Sequence, residues 1–274
     1  MFRKPIIGRY LSYHRHENPS PAVIAFREWI YRTIGHPYLL DVIRAERVFK
    51  ALDPKPKQKV LDMGCGWGVW SVALMENGLK MVAVDLPNED FFEAHKSAQI
   101  NNLPIDFLIA DGQALPFRKD IFDGVIMLDV LEHIPDDTKA MQESKRVIKV
   151  EGAVIGTVPT IEREKIIIKE KTVKNELTRE DVNLGHHRRY TLERILKLVK
   201  SVGMKAAAYG YYNQQFSEVA EEIKEFLRRH KIPDYLIFPF LYPIAKIDDY
   251  IIAEGVKGSG CYFKAVKTGK SKDA

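Results

Sequence analysis

Two periodicities alternate along this chain of 274 residues. Short apolar, β-favouring runs begin at Val60 and stop at Gly64, then recur over Lys80–Asp85, Ile105–Ala110, Phe122–Leu128, Gly152–Pro159, Met204–Tyr212 and Gly260–Lys267. Between them stand segments whose apolar residues fall three and four apart, predicting helices over Val69–Asn77, Asn88–Asn101, Asp136–Val150 and Gln215–His230. A further helix opens at Thr191, a suitable N-cap, with Leu192, Ile195, Leu196 and Val199 on one face. Strands that are apolar almost throughout, alternating with amphipathic helices, predict a parallel sheet covered on both faces. Before Val60 the spacing of Val23, Phe26, Ile30 and Ile34, and then of Leu40, Ile43, Val48, Phe49 and Leu52, predicts two more helices. These are stopped by Asp53 to Lys59, with its two prolines.

The first strand leads into Gly64, Cys65, Gly66, Trp67 and Gly68. Glycine at every second position lets the backbone take positive φ, and it lets a ligand lie against bare main chain beside the amides that open the next helix. A dinucleotide loop would place its third glycine three residues after the second. Here that position is Val69, and the glycine arrives one residue earlier. Two acids follow at strand ends. Asp85, about twenty residues past the loop, can accept from both hydroxyls of a ribose. Asp111 can accept from an exocyclic amine, or else serve as a turn or helix-cap residue.

Composition changes this picture only at the margins. Lys and Arg total 42 against 37 Asp and Glu, a balance too even to predict nucleic acid as a partner. Two cysteines, Cys65 in the glycine loop and Cys261 in the last strand, exclude a disulfide framework and a structural zinc cluster, and point to a reducing cytoplasm. Met1 to Ser20 lacks the continuous apolar core of a signal peptide. The most apolar stretch, Tyr235 to Ile247, is too short to span a membrane and carries Pro239 and Pro243.

Taken in order, residues 60–70, 82–85, 110–117, 122–126, 129–135 and 146–152 resemble the successive motifs of class I S-adenosylmethionine-dependent methyltransferases, in the small-molecule group that includes the ubiquinone-biosynthesis type. The resemblance covers roughly residues 40 to 210. It implies a doubly wound, seven-stranded, mostly parallel α/β sheet of order 3-2-1-4-5-7-6 with strand 7 antiparallel. For the cofactor it implies Asp62, Gly64, Cys65, Gly66, Trp67 and Gly68 around the methionine portion, and Asp85 and Leu86 at the ribose. Asp111, Gly112 and Gln113 would stand at adenine, and Leu128, Asp129 and Val130 along the cofactor wall. Glu151 stands where the family usually has proline.

The domain organisation read from the chain is an N-terminal helical segment, 1–58, covering the site. A core follows, built from 59–212 and 259–268, with a cap insertion at 213–258 where the family has a short loop. Thr160 to Asp181 reads as an excursion over the carboxyl edge of the sheet. In the insertion, Phe238, Phe240, Leu241 and Tyr242 either pack as a plain cap or line a pocket for an apolar or lipid-linked acceptor, with peripheral contact to a membrane surface as a further role.

Methyl transfer from a sulfonium is an in-line displacement, and an oxygen acceptor also needs a base. His133, after the fourth strand, is one candidate, with backbone bonding as its plainer role. His186 and Tyr190, in the segment Gly185 to Thr191, are the others. Their plainer reading is that Arg188 and Tyr190 pin the loop while His186 packs. The absence of an Asn/Asp-Pro-Pro-aromatic motif after strand four, and of a Pro-Cys nucleophile, turns the expectation toward O- or N-methylation of a small acceptor with S-adenosylhomocysteine as product and no metal. The alternatives are an NAD-dependent oxidoreductase and a non-catalytic binder of the same cofactor.

Overall fold

The computed structural model describes residues 48–162, 172–174, 176–212, 215–230, 232, 234–248 and 256–269, together with 20–22, 25 and 29. Most of the expected N-terminal segment 1–58 therefore lies outside the described residues; 48–52 are helical. The chain then runs β1 (Lys59–Met63), α1 (Val69–Glu76), β2 (Lys80–Asp85), α2 (Glu89–Ile100), β3 (Ile105–Ile109), β4 (Phe122–Leu128), a short 3-10 turn at Leu131–His133, α3 (Asp137–Val147) and β5 (Ile148–Pro159). After these come β6 (Thr172–Lys174), β7 (Leu177–Thr178), α4 (Arg179–Leu184), α5 (Leu192–Ser201), β8 (Lys205–Tyr212), α6 (Gln215–Arg229), α7 (Asp234–Lys246) and β9 (Gly260–Val266).

Seven strands form one sheet in the order β3-β2-β1-β4-β5-β9-β8, and β6 and β7 form a separate two-stranded pair. Counting the strands of the large sheet alone, this is 3-2-1-4-5-7-6, as expected from the sequence. The first five are mutually parallel, and β9 runs antiparallel to both β5 and β8. Period-two alternation sorts each central strand between two apolar layers. Leu61, Met63, Val82, Val84, Val125 and Met127 face α3 and α5, while Val60, Met81, Ala83 and Ile126 face α1, α2 and the helix at 48–52. Each such side chain, fully withdrawn from water, contributes about 1.5–3 kcal/mol.

Two boundaries differ from the sequence reading. The helix after β4 ends at Val147, three residues early, and β5 begins at Ile148 instead of Gly152. Ile148 already pairs with Phe122, and the strand absorbs an irregularity between Phe122 and Gly124. There Glu151 takes a left-handed φ of 64° and Gly152 has no room for a Cβ, with the Lys149 carbonyl 2.8 Å from where one would sit. The proline-bearing stretch is a helix, α7, whose Ile237, Leu241 and Ala245 recur every four residues and bury against Ala220 of α6 and Tyr212 at the end of β8. That stripe offsets the two N–H groups the prolines lack. No described helix is long and apolar enough to cross a membrane.

Candidate active site

The glycine loop is a strand-to-helix turn with little alternative chemistry. Gly64, Gly66 and Gly68 all have left-handed φ, at 74°, 48° and 68°. At Gly64 a Cβ would stand 2.5 Å from the Val130 side chain, so backbone and neighbour both demand glycine, whereas at Gly66 it would meet open space. The amides of Gly64 and Cys65 both donate to the Val84 carbonyl, at 2.8 and 3.0 Å, which lashes the turn to β2. Cys65 itself is buried, and burial pushes its thiol far above the usual range, so it packs as a small apolar side chain. Trp67 is half-buried at the turn, and Gly68 caps α1.

Two carboxylates brace this loop from opposite sides. Asp85 ends β2, where one oxygen accepts the Gly66 amide at 2.7 Å and the other accepts the Leu86 amide at 2.7 Å and the Asn88 side chain at 3.2 Å. Each oxygen retains acceptor capacity on a half-buried group, beside Leu86, which is 56% exposed. Asp62 lies beneath the loop, almost wholly buried, and accepts the Ser71 hydroxyl from α1 at 2.6 Å. Burial, opposed by that hydrogen bond and aided by the charge of Asp85, pushes its carboxyl up to about 7.

The loop after β3 is tied down from α3. Arg146 donates to the carbonyls of Phe117 and Leu115, at 2.6 and 2.9 Å, while Glu143 accepts the Leu115 amide at 2.8 Å. Within it the exposed Asp111 accepts the Gln113 amide at 2.8 Å and its side-chain nitrogen at 3.1 Å, and Gln113 in turn accepts the Asp136 amide at 3.2 Å. Gly112 lies against Met63, whose sulfur would be 2.9 Å from a Cβ. Across the carboxyl end of the sheet, Leu128 and Val130 flank Asp129, which holds a left-handed φ of 55°. Asp129 accepts the Thr157 hydroxyl at 2.9 Å and the Tyr212 hydroxyl at 3.3 Å. The cofactor-side residues expected from the sequence thus stand at the carboxyl ends of β1, β2, β3 and β4, where ligands of open parallel sheets bind.

The segment Gly185 to Thr191 returns to the same edge. Tyr190 pairs with the end of β5, donating its amide to the Pro159 carbonyl at 3.2 Å, and the His187 amide donates to the Glu132 carbonyl at 2.7 Å. His186 is thereby brought against His133, with ring centroids 4.7 Å apart and the rings nearly perpendicular. Burial, with the neighbouring His186 adding, holds the imidazole of His133 below its ordinary range. Among the described residues, Glu132, His133 and His186 form the one group of three metal-capable side chains, a donor from each lying within 4.8 Å of the others. Glu132 is buried, and Nδ1 of His186 is already engaged by Asp181 at 2.7 Å.

Tyr190 does not reach an acceptor. It is fully buried, its hydroxyl donates to Asp137 at 2.8 Å, and burial raises its phenol well above the usual range. Arg188 likewise donates to the carbonyls of Ile134 and Pro135, at 2.7 and 2.6 Å. These two pin the segment, and the reason is sterics: the Tyr190 ring fills the core between α3 and α5. Nor do the four apolar side chains of the cap share one face, because Leu241 is buried while its neighbour Phe240 is 75% exposed, and the side chain of Phe238 lies outside the described residues. Asp181 was missed by sequence reading; its signal was Thr178 three residues before it, the spacing of a capping box, which the structure forms.

Residues 61–156 match the methyltransferase domain family. The chain is 29% identical over 124 residues to a ubiquinone biosynthesis O-methyltransferase from Actinobacillus pleuropneumoniae serotype 5b (strain L20), a match covering 43% of this chain and 52% of that protein, so it spans about half the length of that relative. Among solved structures it is similar to Haemonchus contortus phosphoethanolamine N-methyltransferase 2 in complex with S-adenosyl-L-methionine, with a TM-score of 0.59 and 21% identity, covering 89% of this chain and 60% of that one. It is also similar to the [4+2]-cyclase SpnF, with a TM-score of 0.58 and 16% identity, covering 82% and 80%. Likenesses this distant carry the fold and leave the reaction to the site. The match to the methyltransferase domain family thus falls on residues 61–156, which hold the glycine turn and run from β1 to β5 of the sheet whose order the resemblance to class I S-adenosylmethionine-dependent methyltransferases implied.

Proposed function

We propose that this chain transfers a methyl group from S-adenosylmethionine to oxygen or nitrogen of a small acceptor of apolar or lipid-linked character. The observation that carries the reading is the cradle at the carboxyl ends of β1 and β2. A turn with open space over Gly66 stands beside Asp85, whose two oxygens are held by the amides of Gly66 and Leu86. Those residues fit the cofactor. The loop backbone would take its methionine end, with Asp62 supporting the turn from beneath through Ser71; Asp85 and Leu86 would take its ribose and Asp111, Gly112 and Gln113 its adenine, with Leu128, Asp129 and Val130 forming the wall.

When bound, S-adenosylmethionine supplies a methyl group on a sulfonium that leaves as a neutral thioether. The chain's own task is to orient and to exclude water. His133, exposed at the site and favoured in its neutral form by its surroundings, accepts the proton of an acceptor hydroxyl as the new oxygen–carbon bond forms. Asp129, fixed between Thr157 and Tyr212, lines the space beside it. Tyr212 also packs among α6 and α7, joining the cap to this wall. The likeness to an O-methyltransferase of ubiquinone biosynthesis supports oxygen as the methylated atom.

The test is product formation. Incubation with S-adenosylmethionine and a panel of phenols and catechols, with and without prenyl tails, is expected to yield a singly methylated product by mass spectrometry, with tailed acceptors preferred. Cofactor binding without product or S-adenosylhomocysteine across hydroxyl, amine and carbon acceptors would make the chain a binder, not an enzyme.

A further inference from the structure

Asp181 is a buried carboxylate with more partners than its helix needs. It is 1% exposed. One oxygen accepts the Thr178 amide at 2.7 Å and the Thr178 hydroxyl at 2.8 Å, with Arg189 Nε 2.8 Å away in an ion pair. The other accepts His186 Nδ1 at 2.7 Å and Arg189 Nε at 3.0 Å. A cap on a six-residue helix explains the Thr178 contacts and contributes about 1 kcal/mol. It does not explain why a carboxylate with its own guanidinium partner is also aimed at a histidine, since burying an ion costs several kcal/mol unless each partner is used.

The geometry also decides what the histidine carries. A carboxylate only accepts, so Nδ1 of His186 holds a proton, and Arg189 already balances the charge of Asp181, so a neutral imidazole satisfies the pair. A neutral ring with its proton on Nδ1 has a bare lone pair on Nε2. The ring's remaining exposure is small, its side chain being 9% accessible, and it lies against His133 and Glu132 at the carboxyl end of β4. An acid behind a histidine that sets its tautomer is a general way to present a hydrogen-bond acceptor at a reacting site.

We propose that Asp181 is a positioning residue that locks His186 in the Nδ1-protonated form, so that Nε2 of His186 accepts a hydrogen bond on the His133 side of the pocket and fixes the His133 ring that takes the proton of a hydroxyl acceptor. This rests on the methyltransferase reading for its substrate and on geometry alone for the tautomer. In the transfer, the acceptor oxygen forms a bond to the methyl carbon as the sulfur–carbon bond breaks. The hydroxyl proton goes to the bare nitrogen of His133, while Nε2 of His186 accepts from the protonated nitrogen of the His133 ring and holds that ring in line.

The decisive measurement is the imidazole nitrogen–proton correlation spectrum of the full chain labelled with nitrogen-15, at pH 7.5 without acceptor, with His186→Gln assigning the signal. The expected result is a neutral His186 protonated on Nδ1. A neutral ring protonated on Nε2, or a doubly protonated ring, overturns the proposal. Asp181→Asn is expected to abolish that signature and to lower kcat for a hydroxyl acceptor about a hundredfold or more, leaving the Kd for S-adenosylmethionine unchanged. Thr178→Ala, which removes the cap hydroxyl and keeps the Asp181–His186 contact, is expected to retain both signature and kcat. If it loses them as Asp181→Asn does, the role of Asp181 is structural and the proposal fails. Calorimetry with S-adenosylmethionine on the same samples separates the two claims. Lack of cofactor binding would sink the functional reading while the tautomer of His186 still stood or fell on its own.

Discussion

The two halves of the sheet's carboxyl edge are built by different means. On the cofactor side, β1, its glycine turn, β2 and the loop after β3 succeed one another within residues 59–117, and many of the contacts that shape them fall inside that stretch, with Val130, Asp136, Glu143 and Arg146 bracing it from outside. Gly66 meets Asp85, Ser71 meets Asp62, and Gln113 meets Asp111. On the acceptor side the contacts are distant in the chain: His133 meets His186, Asp137 meets Tyr190, and Asp129 meets Thr157 and Tyr212. The first half is a backbone cradle, a glycine turn braced by two carboxylates. The second is a meeting of separate segments, so it can change without disturbing the first. One fold can then serve many acceptors, as the likeness to both an N-methyltransferase and a cyclase illustrates.

The hardest blow to the cofactor side is Gly64→Val. It forces a β-branched residue to a φ of 74° and drives Cβ to 2.5 Å from Val130, so a loss of about 5 kcal/mol in chemical unfolding and no measurable cofactor binding are expected. A full-length variant of native stability would show that the turn can relax.

The next effect is on pH dependence. Asp62 titrates at about 7 in the folded protein, above the 3.8 of a free aspartate, so the native state binds more protons than the unfolded chain between those values. Its contribution is fully present below pH 3.8 and is lost as pH rises through 7. Asp62→Asn should therefore flatten the stability profile between roughly pH 4 and 7, removing at most about 4 kcal/mol of drift. Parallel profiles for the two proteins, from denaturant melts across that range, would mean the carboxyl is ionised throughout.

On the acceptor side, Tyr190→Phe removes one buried hydroxyl from Asp137, which keeps Arg188 at 3.4 Å. A stability loss of about 1–2 kcal/mol with kcat within about twofold is expected. A large fall in kcat at unchanged stability would return Tyr190 to the catalytic set. Smallest of all, Phe240→Ala on the exposed face of α7 should alter stability by no more than about 0.5 kcal/mol. Its interest lies in whether KM rises for tailed acceptors alone, which would draw the cap surface into acceptor binding.

Legibility in the sequence follows the same division. The strand order, the glycine turn and the acids at 62, 85 and 111 could be read because each depends on neighbours a few residues away or on motif order. The left-handed glycines could be expected from spacing alone. Two features escaped, and a third, Tyr190, stood between catalysis and the pinning role that the structure gives it. Tyr190 shares its short segment with the site histidine, and only packing shows that its ring fills the core while His186 faces the edge. The helix α7 was hidden by Pro239 and Pro243, because local propensity outweighs a stripe of Ile237, Leu241 and Ala245 until its partner α6 is known. Asp181 looked like one acid in a charged excursion, and nothing in the linear chain says that His186 and Arg189 fold back onto it.

The central claim is that the turn at Gly64 to Gly68, with Asp85, is a site for S-adenosylmethionine. Isothermal calorimetry of the full chain with S-adenosylmethionine, S-adenosylhomocysteine and NAD, repeated on Asp85→Ala, tests it most directly. The account predicts micromolar binding of the first two, weakened about a hundredfold or more by loss of the carboxylate, and no saturable binding of NAD. Saturable binding of NAD alone, or cofactor binding indifferent to Asp85→Ala, would contradict it.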